Sequence, residues 1–130
     1  MPAISRVEKD LAAVFRRLKA RLKRYEKPLK PRIGPDGRYE LWSEKEVEVD
    51  GRKRPEVFFA SLVVRGAYVG FYFMPVYAEP GLKDVFEPEL LKLLRGKSCF
   101  HIRALDAKLE SAIDLALKRG YALYRKRGWV

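Results

Sequence analysis

Val57-Phe58-Phe59-Ala60-Ser61-Leu62-Val63-Val64, then Arg65-Gly66, then Ala67-Tyr68-Val69-Gly70-Phe71-Tyr72-Phe73-Met74 is the stretch that decides the fold. Two runs rich in β-branched and aromatic residues, joined by a tight turn, read as paired buried strands. Each is apolar on both faces, as a central strand is. Pro75 closes the second, because proline has no N–H to give to a ladder. Alternation sends Phe71 and Phe73 to one face and Tyr72 and Met74 to the other.

Upstream of this hairpin, Tyr39–Trp42 and Lys45–Val49 read as short strands, the second with one side facing water. Asp50–Gly51 is a hairpin turn signal ahead of the basic Arg52-Lys53-Arg54, and Pro31–Gly37 reads as a loop. Downstream, Val76–Gly81 is an irregular crossing. Glu87–Leu94 is a short helix with Pro88 in its first turn, and Gly96 lies past its end. Lys97–Ile102 reads as a final strand.

Both ends of the chain carry helical periodicity. Ser5 and Glu8 have the spacing of a capping box, followed by an apolar stripe through Val7, Leu11, Val14, Leu18, Leu22 and Tyr25. Pro28 and Pro31 stop that helix. Asp106 caps a last helix with the stripe Leu109, Ile113, Ala116, Leu117, Gly120 and Tyr124, where Ala116 and Gly120 predict close approach to the sheet. The expected fold is α+β, in the order α-β-β-β-β-α-β-α. It is a two-layer sandwich with two terminal helices packed on one face of a largely antiparallel four- to five-stranded sheet, formed as one domain over 1–130.

The net charge is +11, and it is uneven: residues 1–32 carry +8, residues 33–102 carry −1 and residues 103–130 carry +4. Such a field draws anionic partners, nucleic acid or an acidic protein, without choosing between them. Arg17, Arg21, Arg24, Arg119 and Arg125 are the candidate anion-binding residues, on helix faces expected to merge into one patch. The single cysteine, Cys99, excludes an intramolecular disulfide. No signal-peptide pattern and no membrane-length apolar run are present, so a cytoplasmic location with no membrane partner is expected.

Three clusters are candidates for chemistry. Cys99 and His101 share one face of the last strand, as a small-ligand or metal contact or as core residues; two neighbours on a strand do not converge as a nucleophilic pair requires. Trp42, Tyr72 and Met74 belong to an aromatic row on whichever sheet face the helices leave open. That row is able to line an apolar ligand pocket, stack bases or pack against a second copy of the chain. Glu44, Glu46, Glu48 and Asp50 form a carboxylate ladder for a hard cation, or the charged guard of an edge strand. No phosphate loop, His-Glu-x-x-His, paired cysteines or nucleophile elbow occurs, so no enzyme activity is expected.

The run Tyr68–Tyr77, then Pro88-Glu89-Leu90-Leu91, then Gly96-Lys97-Ser98-Cys99-Phe100-His101-Ile102, with Tyr124 and Gly128-Trp129, resembles the YdhG-like family of bacterial domains. The resemblance implies a frataxin-like α/β sandwich and a carrier role, with iron as one cargo. Frataxin-like iron binding uses a carboxylate ridge on the first helix, whereas this helix carries Arg16, Arg17, Lys19, Arg21, Lys23 and Arg24. The expected function is a non-enzymatic binding or carrier module for iron or a small ligand. The alternative is a basic module for nucleic acid or an acidic protein.

Overall fold

The computed structural model describes residues 7–130. In chain order they form α1 (Leu11–Leu22), β1 (Lys30–Ile33), β2 (Tyr39–Ser43), β3 (Val47–Val49), β4 (Arg52–Arg54), β5 (Val57–Arg65) and β6 (Tyr68–Phe73). Then come α2 (Met74–Ala78), α3 (Pro88–Leu91), β7 (Leu94–Arg95), β8 (Cys99–Ile102) and α4 (Ala107–Lys126). A six-stranded sheet runs β1-β2-β5-β6-β8-β7 with every pair antiparallel, and β3-β4 is a separate two-stranded hairpin. The α+β sandwich stands, with the Val57–Met74 hairpin at its centre.

The sheet is wider than the four or five strands expected. Lys30–Ile33 is a strand and not loop: it pairs only with β2, and an edge tolerates Pro31 because its outer side needs no ladder donor. Ser5 of the proposed capping box lies outside the described residues. Val7 is exposed and off the helix, while Glu8 exchanges backbone hydrogen bonds with Leu105 (2.7 and 2.8 Å). Asp10 is the N-cap instead, accepting from the Ala12 amide.

Register divides the side chains between two faces. Tyr39, Leu41, Phe71, Phe73, Phe100 and Ile102 point to the helices and are buried. At Leu41/Trp42 the β2–β5 register slips, making Phe59 an extra residue on β5. It enters the core edge-on to Phe73 and Tyr124, at 5.6 and 5.1 Å between ring centres. On α4, Gly120 lies against Phe73 and Pro75 with no room for a Cβ. That is the close approach expected from the sequence.

The terminal helices lie side by side and parallel, because their contacts climb together. Arg17 and Arg21 of α1 meet Glu110, Arg21 also meets Asp114, and Tyr25 meets Tyr121 at 5.3 Å. The C-terminus of α4 is closed by Gly128 at φ 74°: the Gly128 amide donates to Arg125 O and the Trp129 amide to Tyr124 O. This turn folds Trp129 back onto Tyr124, with ring centres 5.0 Å apart, and Ser43 fixes it by donating to the Trp129 carbonyl at 2.5 Å.

Candidate functional site

Where β2 ends, β5 begins and β6 passes into α2, the molecule holds a pocket of about 430 Å³. Its apolar wall is Trp42, Phe58, Met74, Tyr77 and Trp129. Trp42 and Phe58 are cross-strand partners, with ring centres 5.3 Å apart. Met74 does not continue β6 to the open face, as expected, but begins α2, because Pro75 suits the first turn of a helix. Trp129 arrives from the far end of the chain through the Gly128 turn. The β3–β4 hairpin adds Val49, Asp50 and Arg54.

Of the four charged residues lining this pocket, Arg127 and Glu56 are held in ion pairs, and Asp50 and Arg54 stand in none among the described residues. Arg127 donates to Glu79 at 2.6 Å while lying 5.0 Å over the Trp129 ring. Arg32 lies 4.4 Å over Trp42 and binds Glu56 through two donors. The Arg32 guanidinium holds the Glu56 carboxyl below its ordinary value, chiefly by that hydrogen bonding.

Tyr72, Cys99 and His101 lie elsewhere, on the open sheet face. Tyr72 and Cys99 are register partners across β6–β8. Burial pushes the Cys99 thiol up, against the opposing pull of Tyr72 and Arg65, so the neutral thiol dominates. His101 stacks on Tyr68 at 3.8 Å, and the Arg103 guanidinium lies 5.6 Å over that ring. Cys99 and His101 therefore take different partners. The five expected ligand residues form two groups, Trp42 with Met74 and Tyr72 with Cys99 and His101.

The carboxylate ladder does not form. Only Val47–Val49 is strand, so Glu44 and Glu46 precede it and Asp50 occupies the turn at φ 51°. Glu44 binds Arg32 at 3.2 Å, and Glu48 stands opposite Lys53 on the basic β4. Among the described residues, no three of His, Cys, Asp or Glu come together to hold a metal ion.

The cationic patch also differs from expectation. Arg17 and Arg21 turn into the seam between helices toward Glu110, which is 6 % exposed, and Arg24 stands 3.8 Å from Asp114. A buried carboxylate needs a cation beside it, so these arginines serve the helix pairing. Arg119 and Arg125 are exposed and stand in no ion pair among the described residues.

Sequence reasoning missed Trp129 as a pocket residue. The signal for Trp129 was the Gly128-Trp129 pair directly after a long helix, since glycine past a helix end predicts a chain that doubles back. No helix among the described residues is long and apolar enough to cross a membrane. No protein-family model, curated protein or solved structure matches this chain.

Proposed function

We propose that this protein is a non-enzymatic binding module whose ligand is a small molecule with a planar apolar body. The observation that carries the reading is the convergence of Trp42, Phe58, Met74, Tyr77 and Trp129 from four parts of the chain on one pocket. Aromatic and thioether groups give a planar ligand dispersion contact at little entropic cost, and the pocket volume is of the size small-molecule sites have. A binding role accords with the YdhG-like resemblance, while Glu44, Glu46, Glu48 and Asp50 do not come together as a group of iron ligands among the described residues.

Trp42 and Trp129 are the chain's two tryptophans, so selectively excited tryptophan emission reports on this pocket. Titration with the neutral probe N-phenyl-1-naphthylamine is expected to quench that emission saturably at one site per chain. The variant Trp42→Ala should bind at least tenfold more weakly, as the loss of one large aromatic contact implies. An unsaturable response, or equal binding by Trp42→Ala, would reject the pocket.

A second reading rests on the helix layer. Because α1 and α4 run parallel and neither carries an acidic residue in its last two turns, Lys23, Lys118, Arg119 and Arg125 lie toward the same end of the molecule. This favours an anionic partner there. Binding of a short oligonucleotide should weaken steeply between 50 and 200 mM salt, a range over which phosphate contacts are shed. Salt-independent binding, or none at 50 mM, removes this reading.

A further inference from the structure

We infer that the ligand is an organic anion, with its acidic group held between Lys83 and Lys97 beside the aromatic pocket. The inference rests on the pocket reading and names the ligand's charge. A second concavity, of about 450 Å³, adjoins the first across Tyr77, which lines both. Its wall is Val76, Pro80, Leu94 and Gly96, and its two charged residues are Lys83 and Lys97, with no carboxylate among its lining.

Electrostatics separate the two halves of this groove. The aromatic half is lined by two carboxylates and two arginines. Arg127 is bound to Glu79 and Glu56 is bound to Arg32, while Asp50 and Arg54, of opposite sign, stand in no ion pair among the described residues. In the other half neither Lys83 nor Lys97 takes part in an ion pair among the described residues, and both are exposed. The Lys97 ammonium lies 5.9 Å from the centre of the Tyr77 ring. The ring that forms the common wall thus carries the aromatic pocket on one side and a cation above it.

A ligand with its planar body against Trp42 and Trp129 and a short arm passing Tyr77 would bring a carboxylate, sulfonate or phosphate to those two ammonium groups. Lysine suits this role as a compact cation on a long stem, able to follow the anion without imposing a fork geometry. Both cations are exposed, so the expected preference is modest and sensitive to salt.

The test compares two probes that differ by one group: 8-anilinonaphthalene-1-sulfonate and the neutral N-phenyl-1-naphthylamine. The intact protein should bind the sulfonate about fivefold more tightly at low salt, the size of effect two exposed ionic contacts give. That preference should vanish in the double variant Lys83→Met, Lys97→Met, whose affinity for the neutral probe stays unchanged. Equal binding of the two probes by the intact protein, or a preference that survives in the double variant, overturns the inference and leaves the pocket standing. Failure of both probes to bind overturns the pocket itself, and the inference with it.

Discussion

Arg21 of α1 binds Glu110 of α4 through two nitrogens, with its Nε 3.1 Å from Oε2, and reaches Asp114 one turn further along the same helix. The Asp114 and Glu110 bonds keep Arg21 charged against the cost of burial, which is the largest influence on it. One guanidinium thereby fixes the axial register of two parallel helices. Arg17 on Glu110 adds a second ionic contact, whereas an apolar contact such as Tyr25 on Tyr121 tolerates sliding.

The first prediction concerns that link. Glu110→Ala removes the carboxylate shared by Arg17 and Arg21, which leaves Arg17 without its partner and Arg21 with Asp114 alone. The expected loss is ~2–3 kcal/mol, below the range for a wholly buried pair because Arg21 is 20 % exposed. Urea unfolding should show a lower midpoint with an unchanged slope. A midpoint equal to that of the intact protein would mean that the apolar contacts alone hold α1 to α4.

Gly120→Ala tests the helix–sheet approach. In an open helix alanine is the better residue by ~1 kcal/mol. At this position the added Cβ would collide with the Phe73 ring and stand 2.8 Å from Pro75 Cγ. Phe73 is buried and Pro75 is rigid, so the sign reverses and the variant should lose ~2–3 kcal/mol by overpacking. Stabilisation in a thermal melt would show that α4 stands further from α2 than the structure places it.

The spine of this fold was readable because its two central strands are apolar on both faces and end at turn residues that allow no other reading. Capping at Asp106 was equally plain, since a helix of twenty residues follows it. Edge strand Lys30–Ile33 was not, because one proline and two cations obscure a ladder satisfied on one side only. The seam arginines look like a solvated helix face in sequence. Their partners, Glu110 and Asp114, lie almost a hundred positions away, and no local pattern connects them. The pocket was half legible for a similar reason. Trp42 and Met74 stood out as large apolar residues near strand ends, but Trp129 joins them only through a turn whose effect depends on three-dimensional closure.

Acid should expose one further link. Glu89 on α3 binds Lys108 on α4 at 2.8 Å, and that hydrogen bond, more than any other cause, holds the Glu89 carboxyl below its ordinary value. A lowered carboxyl pKa contributes stability above the ordinary carboxylate range, lost as pH falls through the lowered value. Carbon-detected NMR of the Glu89 carboxyl should give a midpoint below that of a free glutamate, and Lys108→Met should raise it toward normal. A midpoint that ignores Lys108→Met would assign the shift to the backbone instead.

Gly128→Ala joins stability to binding, which makes it the most informative change. At φ 74° glycine is at ease, and an alanine there costs ~1–2 kcal/mol. No atom lies within 4 Å of the position a Cβ would take, so crowding adds nothing and the cost is conformational. The turn also aims Trp129 at the pocket, through the hydrogen bond its N–H donates to the Tyr124 carbonyl and the one its own carbonyl accepts from Ser43. If the turn relaxes to relieve the strain, Trp129 leaves the wall it shares with Trp42. Unfolding by urea and quenching by N-phenyl-1-naphthylamine should therefore weaken together in Gly128→Ala. Lost stability with intact affinity would show that Ser43 alone is enough to hold the tryptophan in place.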